Sequence, residues 1–207
     1  GADAAHLLLL EHEGEIHAVQ RADVHLTPKP SIDGSRRLHE VRWAPSSATR
    51  LLDRDAARVA LADASDQAAV GFAAQLVGLS RAMIDRTVDY VKARHQFGRP
   101  VGSFQAVKHH LADAHIALEM AAPAVYRAAW SLAHRAPDRS LHASMAKALA
   151  SDAAALVARK ALQCHGAIGY AYENDLHLWM KRAWALGADA AWHRARVQKV
   201  IFGSGGM

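Results

Sequence analysis

A single cysteine in 207 residues, Cys164, excludes an internal disulfide framework and fits a reducing compartment. The chain also lacks a leader pattern and any run of about 18 apolar residues, so no membrane span is expected and a cytoplasmic protein is the default reading. Charge of one sign is scarce. The net charge is only +5, and Lys and Arg are scattered without a run, which describes solvated helix faces rather than a nucleic-acid groove. Metal-binding patterns are missing despite 14 histidines. There is no H-E-x-x-H and no paired Cys/His spacing, and His110 and His115 are too far apart for an i, i+4 pair on one helix face. What is present is 51% hydrophobic and 22% charged, a globular composition. The length suits one large domain, or one domain with a small appendage.

Residues 1–46 read as short strands. Leu7–Leu10 and Ile16–Val19 flank Glu11-His12-Glu13-Gly14-Glu15, a hairpin turn in which Gly14 supplies the unusual backbone angle. Val24–Leu26 and Leu38–Val41 are further strands, too few for an independent core. Residues 47–202 read as long helices with short turns, an antiparallel bundle of four or five. The first helix spans Leu51–His95, with Gly71 and Gly78 available for close approach and Asp63-Ala64-Ser65-Asp66 able to interrupt its early turns. In the second, Phe104, Leu111, Leu118, Val125 and Leu132 recur every seven residues, with Val107, Ala114, Ala121 and Ala128 interleaved. Pro123 falls inside it and is expected to bend it. A third helix, Leu141–Gln163, carries Leu141, Met145, Leu149, Leu156 and Val157, and Gly166 and Gly169 end it. Helices over Asn174–Leu186 and Ala190–Ile201 follow, and residues 203–207 read as a disordered tail.

Between the first two helices lies Arg94-His95-Gln96-Phe97-Gly98-Arg99-Pro100-Val101-Gly102-Ser103-Phe104-Gln105. Gly98-Arg99-Pro100 breaks the arriving helix, and Ser103 is placed to cap the departing one. An arginine fork there matches phosphate oxygens, and an aromatic ring offers a stacking face for a base or a flavin. An interhelical turn with a surface arginine is the plainer reading of the same residues. For Gly166 and Gly169 the plainer reading is a helix C-cap.

This stretch resembles the acyl-CoA dehydrogenase family, whose C-terminal bundle carries R-x-x-F-G-x-x-[IV]-x-x-x-Q between its first two helices. The pattern here is Arg94, Phe97, Gly98, Val101 and Gln105. A second family motif, Q-x-x-G-G-x-G-[FY]-x-x-E, is matched from Gln163 to Glu173 through Gly166, Gly169 and Tyr170, with Ala167 in place of one glycine. The resemblance implies a mainly-α fold: a remnant of the middle β-domain over 1–46, then the C-terminal helical bundle over 47–202. It also implies that the chain begins inside the β-domain, without the N-terminal helical domain and the segment that binds the flavin ring. A fragment and a naturally short subunit are both compatible with that. FAD is the implied cofactor. By resemblance its pyrophosphate and adenosine, bound in a neighbouring subunit, would be met by Arg94, Phe97, Phe104, Gln105, Gln163, Gly166 and Ala167.

Acyl-CoA dehydrogenation requires a carboxylate base beside the substrate carbons and a flavin to accept hydride. In most of the family the base lies seventeen residues beyond the motif glutamate, a position held here by Ala190. Where the family takes it from the first bundle helix, the position falls near Ala68. Glu173 lies on the order of 25 Å from the first of these positions if the segment between is helical. Asp189 and Asp66 are the nearest acids, and no catalytic residue is assigned. Lending residues to a flavin while lacking a base matches the degenerate subunit of heterotetrameric (α2β2) bacterial enzymes that act on steroid and other bulky acyl-CoA thioesters. The acyl-CoA would then be held mainly by the partner, with no nucleic acid and no membrane involved. The alternatives are a homomeric acyl-CoA dehydrogenase, or a fragment of one, with a non-standard base, and a bundle that oligomerises without flavin.

Overall fold

The computed structural model describes residues 1–203. The tail expected over 203–207 lies outside them except for Gly203, which follows the last helix. The chain divides into two compact units, Gly1–Ser65 and the part from Asp66 onward.

In the first unit, β1 (Leu7–His12) and β2 (Glu15–Gln20) form the expected hairpin, with Glu13 and Gly14 at φ 48° and 85° in its turn. Both positive angles suit the right-handed twist of the flanking strands. Strands β3 (His25–Lys29) and β4 (Leu38–Arg42) pair separately. A strand absent from the sequence reading, β5 (Arg50–Leu52), pairs with β2 and takes residues assigned to the first helix. Leu8, Val19 and Val24 form a small core, with Leu26, Val41 and Trp43 against it.

Helix α1 therefore starts later, at Arg54, and runs unbroken to Ala93. Asp53 accepts a hydrogen bond from the Ala56 N–H at 3.0 Å, satisfying one of the free donors of the first turn. Asp63-Ala64-Ser65-Asp66 does not interrupt the helix. The Asp66 carboxylate is buried against Ser140 and Arg196 and so does not compete for the local backbone.

The second unit is an antiparallel bundle of mainly α structure, as expected. Helix α2 (Gln105–Ala133) runs on through Pro123, and its heptad stripe buries Ala114, Leu118, Ala121, Val125 and Ala128. Ser103 is not its cap. A 3-10 turn over Val101–Ser103 moves the boundary to Phe104, and the Ser103 hydroxyl is buried with no hydrogen-bond partner among the described residues.

Helix α3 (Arg139–His165) is the most deeply buried, yet of its large apolar residues only Val157 is in the core. Its buried face is built from Ala143, Ala146, Ala150, Ala154 and Ala158, with Ser144, Lys147 and Ser151 among them. Small side chains let neighbouring helices approach closely, so Leu149 is left exposed. Helices α4 (Leu176–Gly187) and α5 (Ala190–Phe202) pack on α3. Gly71 and Gly78 are not close-approach sites, because a Cβ at either would meet nothing within 4 Å. Gly102 and Gly169 are. A Cβ would lie 3.1 Å from the Val91 carbonyl at the first and 2.9 Å from Leu162 Cδ1 at the second.

Candidate functional site

The end of α1 and the end of α3 meet around a cleft of about 590 Å³. Arg94 lines it from just beyond the end of α1, and Gln163, Gly166 and Ala167 from α3 and the 3-10 turn that follows. Four of the seven residues singled out in the sequence are thus brought together. The Arg94 guanidinium has no hydrogen-bond or ion-pair partner among the described residues, so its donors are available to a ligand. Gly166 sits at φ 63°, ψ −140°, a region only glycine occupies without strain, and nothing lies within 4 Å of where its Cβ would be. Its backbone therefore lies open to the cleft.

The other three residues, Phe97, Phe104 and Gln105, are not among those lining the cleft. The chain leaves α1 into a two-residue hairpin loop joining β6 (His95–Gln96) to β7 (Arg99–Pro100), closed by the Val101 N–H bonding to the Arg94 carbonyl at 2.7 Å. Phe97 and Gly98, at φ 54° and 77°, are its central pair, and the Phe97 ring is 90% exposed. That combination is costly twice over, since a bulky residue is strained in the left-handed region and gains nothing from burial there. Phe104 is half-buried, edge-on to Phe97 at 6.1 Å and beneath the Arg99 guanidinium at 4.1 Å. Gln105 is exposed at the start of α2, with its amide 3.2 Å from the His109 ring.

Sequence reasoning missed the cleft's other walls. Tyr90 precedes Arg94 by one helical turn, a spacing that could have flagged it. It stacks on His165 at 4.4 Å and 15°, and its hydroxyl donates to the His165 carbonyl at 3.3 Å. His165 is buried, and burial pushes its pKa below the ordinary value even though the hydrogen bond to the Ala161 carbonyl works the other way. Its imidazole is neutral at pH 7, with the Nδ1 proton on Ala161. Burial raises the Cys164 thiol, against a smaller opposing effect of Lys160, so the cleft holds a thiol rather than a thiolate.

Neither of the acids next in sequence to the family's base positions is free. Buried Lys147 donates to the Asp189 carboxylate, and Arg196 reaches Asp66 at 3.2 Å. For Asp189 the effect of burial, which would raise its pKa, is outweighed by Lys147 and His193, and the group is held below the usual carboxylate range.

A family model described as the acyl-CoA dehydrogenase C-terminal domain matches residues 48–205. The chain belongs to the acyl-CoA dehydrogenase family. It is similar to the acyl-CoA dehydrogenase IpdE2 of Mycolicibacterium smegmatis, 38% identical over 156 residues that make up 75% of this chain and 45% of that protein. The chain thus spans less than half the length of that relative. Its fold is similar to that of the prolyl acyl carrier protein oxidase AnaB, with a TM-score of 0.88 at 22% identity over 97% of this chain and 58% of the other. It is likewise similar to a chain of the ChsE4-ChsE5 complex from Mycobacterium tuberculosis, with a TM-score of 0.79 at 24% identity over 95% and 55% of the two chains.

Proposed function

We propose that this chain is a subunit of a flavin-dependent acyl-CoA dehydrogenase that lends contacts to FAD across an interface and carries no base of its own. The observation that supports this best is an arginine with no partner among the described residues beside an open glycine backbone in one cleft, while Asp66 and Asp189, the acids nearest in sequence to the family's base positions, are each paired with a cation. The cleft suits a diphosphate-bearing ligand. The Arg94 fork offers paired donors to phosphate oxygens, the Gly166 backbone admits close approach, and the Gln163 amide can bond a ribose hydroxyl. When bound, FAD supplies the hydride acceptor, and the partner's carboxylate takes the proton alpha to the thioester. Phe97 and Phe104 offer faces for the adenine. The exposed Phe97 ring is the feature here that most needs a second surface to cover it.

The partner we propose is a homologous catalytic subunit in an α2β2 assembly, which would hold most of the acyl-CoA. The ChsE4-ChsE5 complex, a structural neighbour made of two differently named chains, supports that arrangement by analogy. In such a subunit, residues 1–46 would be a remnant of the β-domain and residues 47–202 the bundle. Assay of the isolated chain with an acyl-CoA and an electron acceptor tests the proposal. No turnover is expected alone and turnover with the partner, whereas turnover by the isolated chain would overturn it.

A further inference from the structure

Helix α5 is held to the bundle by charge rather than by apolar burial. Of its side chains only His193 is buried, while Trp192, Val200, Ile201 and Phe202 are all more than half exposed. Lys147, fully buried on α3, donates to Asp189 at the start of α5 and lies 3.4 Å from the Ser151 hydroxyl. His193 Nε2 lies 3.6 Å from the other Asp189 oxygen, and Nδ1 lies 3.2 Å from the Ser144 hydroxyl. Arg196 donates to Ser144 at 3.3 Å and to Asp66 at 3.2 Å, and Asp66 also accepts from Ser140. Outside this cluster, Arg194 bonds Asp152 on α3 at 2.5 Å. Two carboxylates and two cations balance, and one relay orders the hydroxyl and the imidazole between them. Arg196 donates to Ser144, Ser144 donates to neutral His193 Nδ1, and His193 Nε2–H faces Asp189. Ser144, His193 and Asp189 have the composition of a hydrolytic triad, but Ser144 is fully buried on α3, where no substrate carbonyl can reach it.

We infer that α5 is an ionic latch, closed at neutral pH and opened by acidification. The groups facing His193 are Lys147 and Ser144 from α3, Asp189 from the preceding turn, and Trp192 and Arg196 from α5 itself, with Asp66 of α1 behind Arg196. Protonation of His193 reverses the Ser144 relay and adds a third cation between Lys147 and Arg196. Burial is the main reason its pKa lies below the ordinary 6.5, with Lys147 and Arg196 adding to it and Asp189 opposing. The closed state binds fewer protons than the open one, so its stability is complete above about pH 6.5 and is lost as pH falls toward the lower folded value. Asp189, also shifted down, loses its contribution only in more acid solution. The latch stands on this geometry whichever reaction the chain serves.

Hydrogen exchange followed by mass spectrometry on the full chain, in its native assembly and corrected for intrinsic rates, tests it. Between pH 7.5 and 5.5, protection over residues 190–202 is expected to fall several-fold, with about tenfold the ceiling for a single histidine, while α3 keeps its own. His193→Asn is expected to flatten that pH response. At neutral pH, Asp189→Asn should speed α5 exchange by on the order of 100-fold because it leaves Lys147 a lone buried charge, Lys147→Met by less because the half-exposed Asp189 stays solvated, and the two together by less than Asp189→Asn alone. Protection of α5 that is unchanged with pH, lost together with that of α3, or reduced additively in the double variant would overturn the latch.

Discussion

Phe97 concentrates the argument at the scale of single residues. Its position in a tight hairpin favours Asn, Asp or Gly, and its ring is left in solvent. Replacing Phe97 with Gly should stabilise the chain by about 1 kcal/mol by removing the left-handed strain, while lowering flavin retention. Thermal melts and FAD absorbance on one preparation measure both, and a variant that gains stability and keeps its flavin would remove the ring from the proposed site. Gly166 behaves in the opposite sense. Alanine there forces a side chain into φ 63° and points a methyl at the cleft, so stability should drop by about 1–3 kcal/mol and flavin binding should weaken with it. Arg94→Lys is expected to lose FAD almost as fully as Arg94→Ala, since an ammonium keeps the charge but not the paired donors. Equilibrium dialysis of FAD against the assembled variants decides between a fork and a point charge.

Elements show how far periodicity carries a reading. The heptad of α2 was legible because its buried stripe pairs large with small apolar residues at regular spacing, and the structure buries its middle turns. Helix α3 was legible as a helix but not as the centre of the bundle. Its burial is written in alanines and serines, which carry little hydropathy, while Leu149 points outward. Ala146 is fully buried on that face, so Ala146→Leu should cost about 1–3 kcal/mol by overpacking, read from a shifted urea midpoint at constant slope. Strand β5 was hidden because its three residues gain meaning only beside β2, a long-range pairing no local pattern records. The capping role of Ser103 failed for a similar reason: the 3-10 turn ahead of α2 depends on Gly102 lying against Val91, a contact between elements. Gly102→Ala should accordingly disturb the hairpin, seen as faster amide exchange over residues 94–101.

The whole molecule joins a cleft that four motif residues share to a charge cluster that no motif announced. Arg94, Gln163, Gly166 and Ala167 were legible as a group because two family motifs place them at fixed spacing, although Gly166 also serves as the C-cap of α3. Tyr90 and His165 stayed unread because their stacking depends on how α1 crosses α3. The same holds for Asp66 and Asp189, which lie far apart in sequence and yet belong to one cluster bridged by Arg196, Ser144 and His193. Burial lowers the pKa of both His165 and His193, so the native state takes up protons less readily than the unfolded chain. Stability should therefore be complete above about pH 6.5 and decline as pH falls below it, and melting curves from pH 8 to 5 should show the midpoint falling. The central claim, that this chain lends flavin contacts and supplies no base, is tested most directly by native mass spectrometry of the tagged protein recovered from its own host. A complex with a second, homologous chain and fewer FAD than subunits is the predicted result. A homo-oligomer with one FAD per chain and turnover of its own would contradict the account.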